Sequence, residues 1–152
     1  MDKSKQDLAN VWLRNQLANE QILEEVNEQI DLPEKVKRKI YLEFIHLHTI
    51  RYYNIQKQDK AQLGEIVKLS GKDKVDISLL KEHLRLSSQA IADIVKNKED
   101  FHKAKSYKNG MIGWVVYLIN HEAHHRSKAI MIMKEAGVKF SNRLKFSIWD
   151  WK

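Results

Sequence analysis

Apolar positions recur at three- and four-residue steps along four stretches of this chain, the period of helices that bury one face. In the first stretch, Ser4 to Gln29, the stripe runs through Leu8, Val11, Trp12, Ala18, Ile22 and Val26. The turn Asp31-Leu32-Pro33-Glu34 ends it, and the proline is suited to the first turn of the next helix. That second stretch, Glu34 to about Lys57, carries Val36, Ile40, Leu42, Ile45, Ile50 and Tyr53. A polar segment from Gln58 to Lys74 follows, with Gly64 and Ser70-Gly71 as turn signals. Asp76 or Ser78 is the N-cap of a third helix that reaches Asn97 through Leu80, Leu84, Ser87, Ile91 and Ile94. The charged segment Lys98 to Gly110 reads as loop. Met111 to Ala136 is the fourth helix, closed by Gly137 just past its end. The tail from Phe140 onward is aromatic, with Phe146, Trp149 and Trp151. No strand alternation and no internal repeat interrupts this pattern.

Four long helices with one apolar stripe each predict an all-α fold, a four-helix bundle formed by a single domain over residues 1–152. The short first connection makes helices 1 and 2 antiparallel neighbours. The second connection, about 17 residues, spans roughly 55 Å when extended, more than the roughly 37 Å of a 25-residue helix. It can therefore run the length of the bundle and leave helices 2 and 3 parallel, an up-down-down-up order.

Composition narrows the function classes. Apolar residues make up 43% of the 152, enough for a packed core. The longest apolar run, Met111 to Asn120, is half the length of a membrane span. The chain begins in polar helix with no signal-peptide core, and it has no cysteine, so a cytoplasmic protein is expected. The formal charge of +7 admits nucleic acid or an anionic partner. Its lysines, however, are spread along the chain and interleaved with acids, which reads as a solvated surface.

Without cysteine, any site for a soft metal must use histidine and carboxylate. Of seven histidines, three lie in Asn120-His121-Glu122-Ala123-His124-His125-Arg126. His121 and His125 stand one helical turn apart on one face, the spacing that lets two imidazoles converge on an ion. Trp114, Leu118, Ala129 and Ile132 share that face, so the pair is expected to point inward. Two buried imidazoles without partners would be costly, and a divalent metal satisfies both. The alternative is a pair of core histidines bonded to backbone groups. His124 is a neighbouring or surface residue. A third ligand is expected from helix 2, where His46 and His48 lie about 200° apart and cannot serve together. Periodicity favours His46, on the stripe of Leu42, Ile45, Thr49, Ile50 and Tyr53, only slightly over His48. His83 and His102 read as surface residues.

The same residues match H-E-x-x-H, the metalloprotease pattern in which Glu122 would act as base. Nothing in the chain resembles the sheet edge such enzymes use to align peptides. Glu122 lies beside the histidine stripe and reads equally as an exposed acid. Arg126 reads as a surface ion-pair partner, or as a contact for an anionic substrate.

The segment Tyr117-Leu118-Ile119-Asn120-His121-Glu122-Ala123-His124-His125-Arg126 resembles the last helix of the DinB-like (DinB/YfiT) superfamily. Phe44-Ile45-His46-Leu47-His48-Thr49-Ile50-Arg51 resembles its second helix, and Ile148-Trp149-Asp150-Trp151 the aromatic tail of one branch. The resemblance covers nearly the whole chain. It implies a four-helix bundle holding nickel or zinc on His46, His121 and His125, and a homodimer. It also implies a metal-dependent enzyme of the thiol-cofactor S-transferase or hydrolase type, acting on a small molecule. With no cysteine in the chain, a low-molecular-weight thiol would come from outside. One departure stands next to the ligands: His124-His125-Arg126-Ser127-Lys128 replaces the family's frequent His-His-Arg-Gly-Gln. A non-catalytic metal-stabilised module, a metalloprotease and a basic nucleic-acid-binding protein are the other classes.

Overall fold

A computed structural model describes residues 2–72, 74–148 and 151. Among them the secondary structure is helical, with no strand: α1 (Lys3–Glu28), α2 (Glu34–Asp59), a short 3₁₀ turn (Lys60–Leu63), α3 (Ile77–Asn97), α4 (Gly110–Glu135) and α5 (Asn142–Ser147), packed against one another. No helix is long and apolar enough to cross a membrane.

Local chemistry sets the helix ends. The Asp2 carboxylate accepts from the Ser4 amide at 2.9 Å, and Asp76, one of the two cap candidates, accepts from Leu79 at 3.0 Å. At the end of α4 Gly137 adopts φ +82°. The Val138 amide then reaches back to the Met133 carbonyl and the Gly137 amide to Lys134, both at 3.0 Å, a Schellman closure. α5 was not expected in the tail. It is docked on α1 by Ser141, whose amide and hydroxyl both donate to Glu25 at 2.9 Å, and by buried Leu144. Of the aromatic tail, Trp149 lies outside the described residues.

The four long helices pair in a way that the short first connection does not dictate. α1 packs along α3 and α4, and so does α2. α1 and α2 therefore face each other across the middle instead of lying side by side, as expected from the loop length. Lys5 Nζ donates to the Lys98 carbonyl and Trp12 Nε1 to that of Ser88, so α1 and α3 run in opposite directions. Ile40 and Leu80 belong to one apolar cluster and Ile55 and Ile91 to the other, so α2 and α3 run the same way. Asn54 meets Trp114 and Glu43 meets His125, so α2 and α4 are antiparallel.

The apolar interior is divided in two. One cluster gathers Trp12, Ile55, Ile91, Val95, Trp114 and Leu118; the other gathers Ile22, Val26, Phe44, Leu80, Leu84 and Met133. Between them lies a buried polar layer of Asn15, Gln16, Asn19, Arg51, Ser87, Glu122 and Arg126. This layer explains why the face of α2 differs from the expected stripe. Leu42 is 36% and Tyr53 47% exposed, while the buried positions are Ile40, Tyr41, Phe44, Leu47, His48, Arg51 and Ile55. Apolar residues alone mark the wrong phase because the true inward face carries His48, Arg51 and Gln58.

Candidate metal centre

His46 on α2 and His121 and His125 on α4 come together where these two antiparallel helices pack. One ring nitrogen from each lies within 4.8 Å of the others. The ring centroids are 5.3 Å (His46–His121), 4.5 Å (His46–His125) and 4.6 Å (His121–His125) apart. The pair on α4 does not point into the centre of the core as expected. His125 is buried, His121 half-buried and His46 exposed, so the cluster lies on the α2–α4 seam with one side toward solvent. The centre of the core is taken by the polar layer instead.

Burial and the neighbouring rings favour the neutral imidazole at His46 and His121. Burial pushes the pKa of His121 down, and the neighbouring His125 and His46 push it further. Burial and His125 likewise lower that of His46. His125 Nδ1 donates to the Glu43 carboxylate at 2.5 Å, which fixes its tautomer and leaves Nε2 as its free donor atom. His121 Nδ1 is buried with no hydrogen-bond partner among the described residues. Three imidazoles, one of them oriented by a carboxylate, make a donor set suited to zinc or nickel. An ion with bonds of about 2.05 Å would hold tetrahedral nitrogens roughly 3.3 Å apart, so modest ring rotation brings these donors to ligating distance.

Glu43 escaped the sequence reading. The signal was present: an acid three residues before His46 lies one turn away on the same helix flank.

Several other histidines and charges differ from expectation. His48 is buried, its Nε2 donating to the Val67 carbonyl at 2.6 Å, with the His83 ring 5.5 Å away. It thus hydrogen-bonds on another face from His46, and His83 is a core residue, not a surface one. His124 is exposed, edge-on to His125. His102 is exposed as expected. Tyr53 is 47% exposed, and its ring carries Lys68 Nζ at 4.6 Å.

Glu122 is no surface acid: it is 1% exposed. Its Oε1 accepts from Arg51 Nη2 at 2.7 Å, Asn19 at 2.8 Å and Asn15 at 3.0 Å, and its Oε2 accepts from Arg51 Nε at 2.8 Å. Burial raises the pKa of this carboxyl, but Arg51 and the donors around it outweigh burial and hold it below the ordinary range. Arg51 spends its remaining protons on Gln16, the Leu84 carbonyl and Ser87, and lies 4.8 Å over the Trp12 ring. Arg126, read as a surface cation, is 8% exposed and donates to Asn15 and Asn19 at 2.8 and 2.9 Å. Burial lowers its pKa to about 10, still protonated at neutral pH. The H-E-x-x-H pattern thus divides between two places: its histidines face α2 on the seam, and its glutamate belongs to the polar layer.

No protein-family model, curated protein or solved structure gives a significant match to the chain.

Proposed function

We propose that this chain is a DinB/YfiT-like four-helix bundle of up-down-down-up order that binds one divalent ion, nickel or zinc, through His46, His121 and His125. The observation that carries the reading is the convergence of these three imidazoles from two helices, with Glu43 orienting one of them. The helix directions and the resemblance of the α2 and α4 segments support the bundle assignment. The ion would be held at the exposed seam, which suits a small-molecule enzyme better than a closed structural site. When bound, such an ion supplies Lewis acidity and stabilises a thiolate.

The chain's own groups have separate parts in this proposal. His46, His121 and His125 bind. Glu43 orients His125 and raises its basicity as a ligand. Glu122 acts as a buried counter-ion to Arg51 and not as a proton acceptor in a protease mechanism. The reaction is assigned to the thiol-cofactor transferase or hydrolase type, and the active species to a homodimer. Elemental analysis of purified protein, followed by a thiol-transfer screen with the metal-loaded form, tests the reading. Turnover that requires both the ion and His125 supports it. Stoichiometric metal with no turnover across thiols and electrophiles leaves the non-catalytic metal-stabilised module as the better account. Light scattering at micromolar concentration tests the dimer.

A further inference from the structure

On the far side of α4 from the triad lies a groove of about 520 Å³, closed by α1, α5 and the tail. Ile119, Ala123 and Ile130 of α4 face it. Ile119 and Ala123 each stand two residues from His121, about 200° round the helix, so groove and triad are separate sites. Ile22, Phe140, Leu144, Ile148 and Trp151 complete apolar walls. The size is that of a small-molecule pocket.

Its charged lining has one sign. Arg126, Lys134 and Lys145 contribute to it, and no aspartate or glutamate does among the described residues. Arg126 is the built element. Its Nη1 is held by Asn15 and Asn19, both neutral, while Nε and Nη2 have no acceptor among the described residues. The adjacent carboxylate, Glu122, is bonded at both oxygens to Arg51. The other buried carboxylate here, Glu25, is engaged by Ser141. The polar layer thus holds two guanidinium groups against one carboxylate, which Arg126 shares only through space and Arg51 through hydrogen bonds, so the layer carries an excess positive charge.

We propose that this groove binds an amphipathic monocarboxylate, an alkyl chain lying along the apolar walls with its carboxylate on Arg126. The parallel Nε–H and Nη2–H of a guanidinium match the two oxygens of a carboxylate. A single negative charge balances the single excess positive one, which a dianionic phosphate would overshoot. Lys134 and Lys145 add attraction for the anionic head.

Calorimetric titration of the full chain with decanoate, decanol and decyltrimethylammonium tests this. Decanoate should bind at one per chain, at least about ten-fold more tightly than the alcohol, the difference expected of a charged hydrogen bond. The ammonium compound should bind more weakly still. Ala123→Trp and Ser127→Trp, both at exposed positions lining the groove, should each abolish binding, with circular dichroism confirming the fold. His125→Ala should leave it intact. Arg126→Gln, where it folds, should bind decanoate and decanol equally. Equal affinity of the unaltered chain for acid and alcohol overturns the proposal. So does binding that survives both tryptophan variants and is lost in His125→Ala, which would place the carboxylate at the triad. A chain that pairs through this face and takes up no decanoate assigns the groove to a second copy instead.

Discussion

Replacing Glu122 with alanine should be among the most damaging single substitutions in the interior. The carboxylate accepts four hydrogen bonds within 3.0 Å, two of them from Arg51, and neither partner of that pair reaches solvent. Alanine strands a buried guanidinium. Breaking a buried ion pair by removing one member costs about 3–5 kcal/mol, against a total stability of roughly 5–15 kcal/mol for a domain. The released Asn15 and Asn19 amides can re-pair within the layer, which places the expectation near the lower end, about 3 kcal/mol. Urea unfolding followed by far-UV circular dichroism measures it. A chelator should be present throughout, so that metal release from the neighbouring His121 does not enter. Replacing both members, Arg51→Met with Glu122→Leu, should recover part of the loss, because Arg51 no longer strands a charge while the Arg126 guanidinium still loses its neighbouring carboxylate. The acid limb gives an independent check. The folded-state pKa of Glu122 lies below its unfolded value, so its contribution is complete above the unfolded pKa and disappears as pH falls through the folded one. The alanine variant should lose that part of the pH dependence. A loss under about 1 kcal/mol in Glu122→Ala would show instead that the pair is solvated or replaceable.

Three further expectations follow from other parts of the molecule. Burial lowers the His48 pKa from 6.5 to about 4, so apo-protein stability should fall by about 3 kcal/mol as pH drops through that window; His48→Gln should remove the dependence, and an unchanged slope would contradict it. Gly110→Ala puts a Cβ 2.4 Å from the His102 carbonyl carbon at φ +62°, whereas Gly137→Ala meets nothing within 4 Å at φ +82°. The first should therefore lower stability by more than the roughly 1–2 kcal/mol expected of left-handed strain alone in the second, and equal melting temperatures would count against the close approach. Glu43→Gln should weaken metal affinity roughly 10- to 100-fold with the stoichiometry kept, and no change would show that His125 needs no orienting partner.

The parts of this molecule that the sequence shows clearly are those whose signal is local. α3 buries Leu80, Leu84, Ser87, Ile91 and Ile94 as its spacing predicts, and Gly137 closes α4 because only the chain's own backbone is involved. The His121–His125 pair is likewise legible, one turn apart on a single helix. His46 enters the cluster although the phase that favoured it is wrong: Leu42 and Tyr53 of its stripe are largely exposed. Periodicity alone weighs His46 and His48 almost equally, because the polar residues of the inward face hide its phase. The polar layer was not legible. A glutamate satisfied by Asn15, Asn19 and Arg51 from two other helices looks, in sequence, like any solvated acid, and so does Arg126. The short α5 depends on Glu25, 116 positions before Ser141, and has no local pattern to show itself.

Whether His46, His121 and His125 together take up one ion at the α2–α4 seam is decided by titrating metal-depleted protein with zinc and with nickel. The unaltered chain and His48→Ala should each take up one ion, with affinities within about 100-fold of each other. His46→Ala and the double variant His121→Ala/His125→Ala should lose the site. Full stoichiometry in the double variant, or loss of the ion in His48→Ala with retention in His46→Ala, would contradict the account.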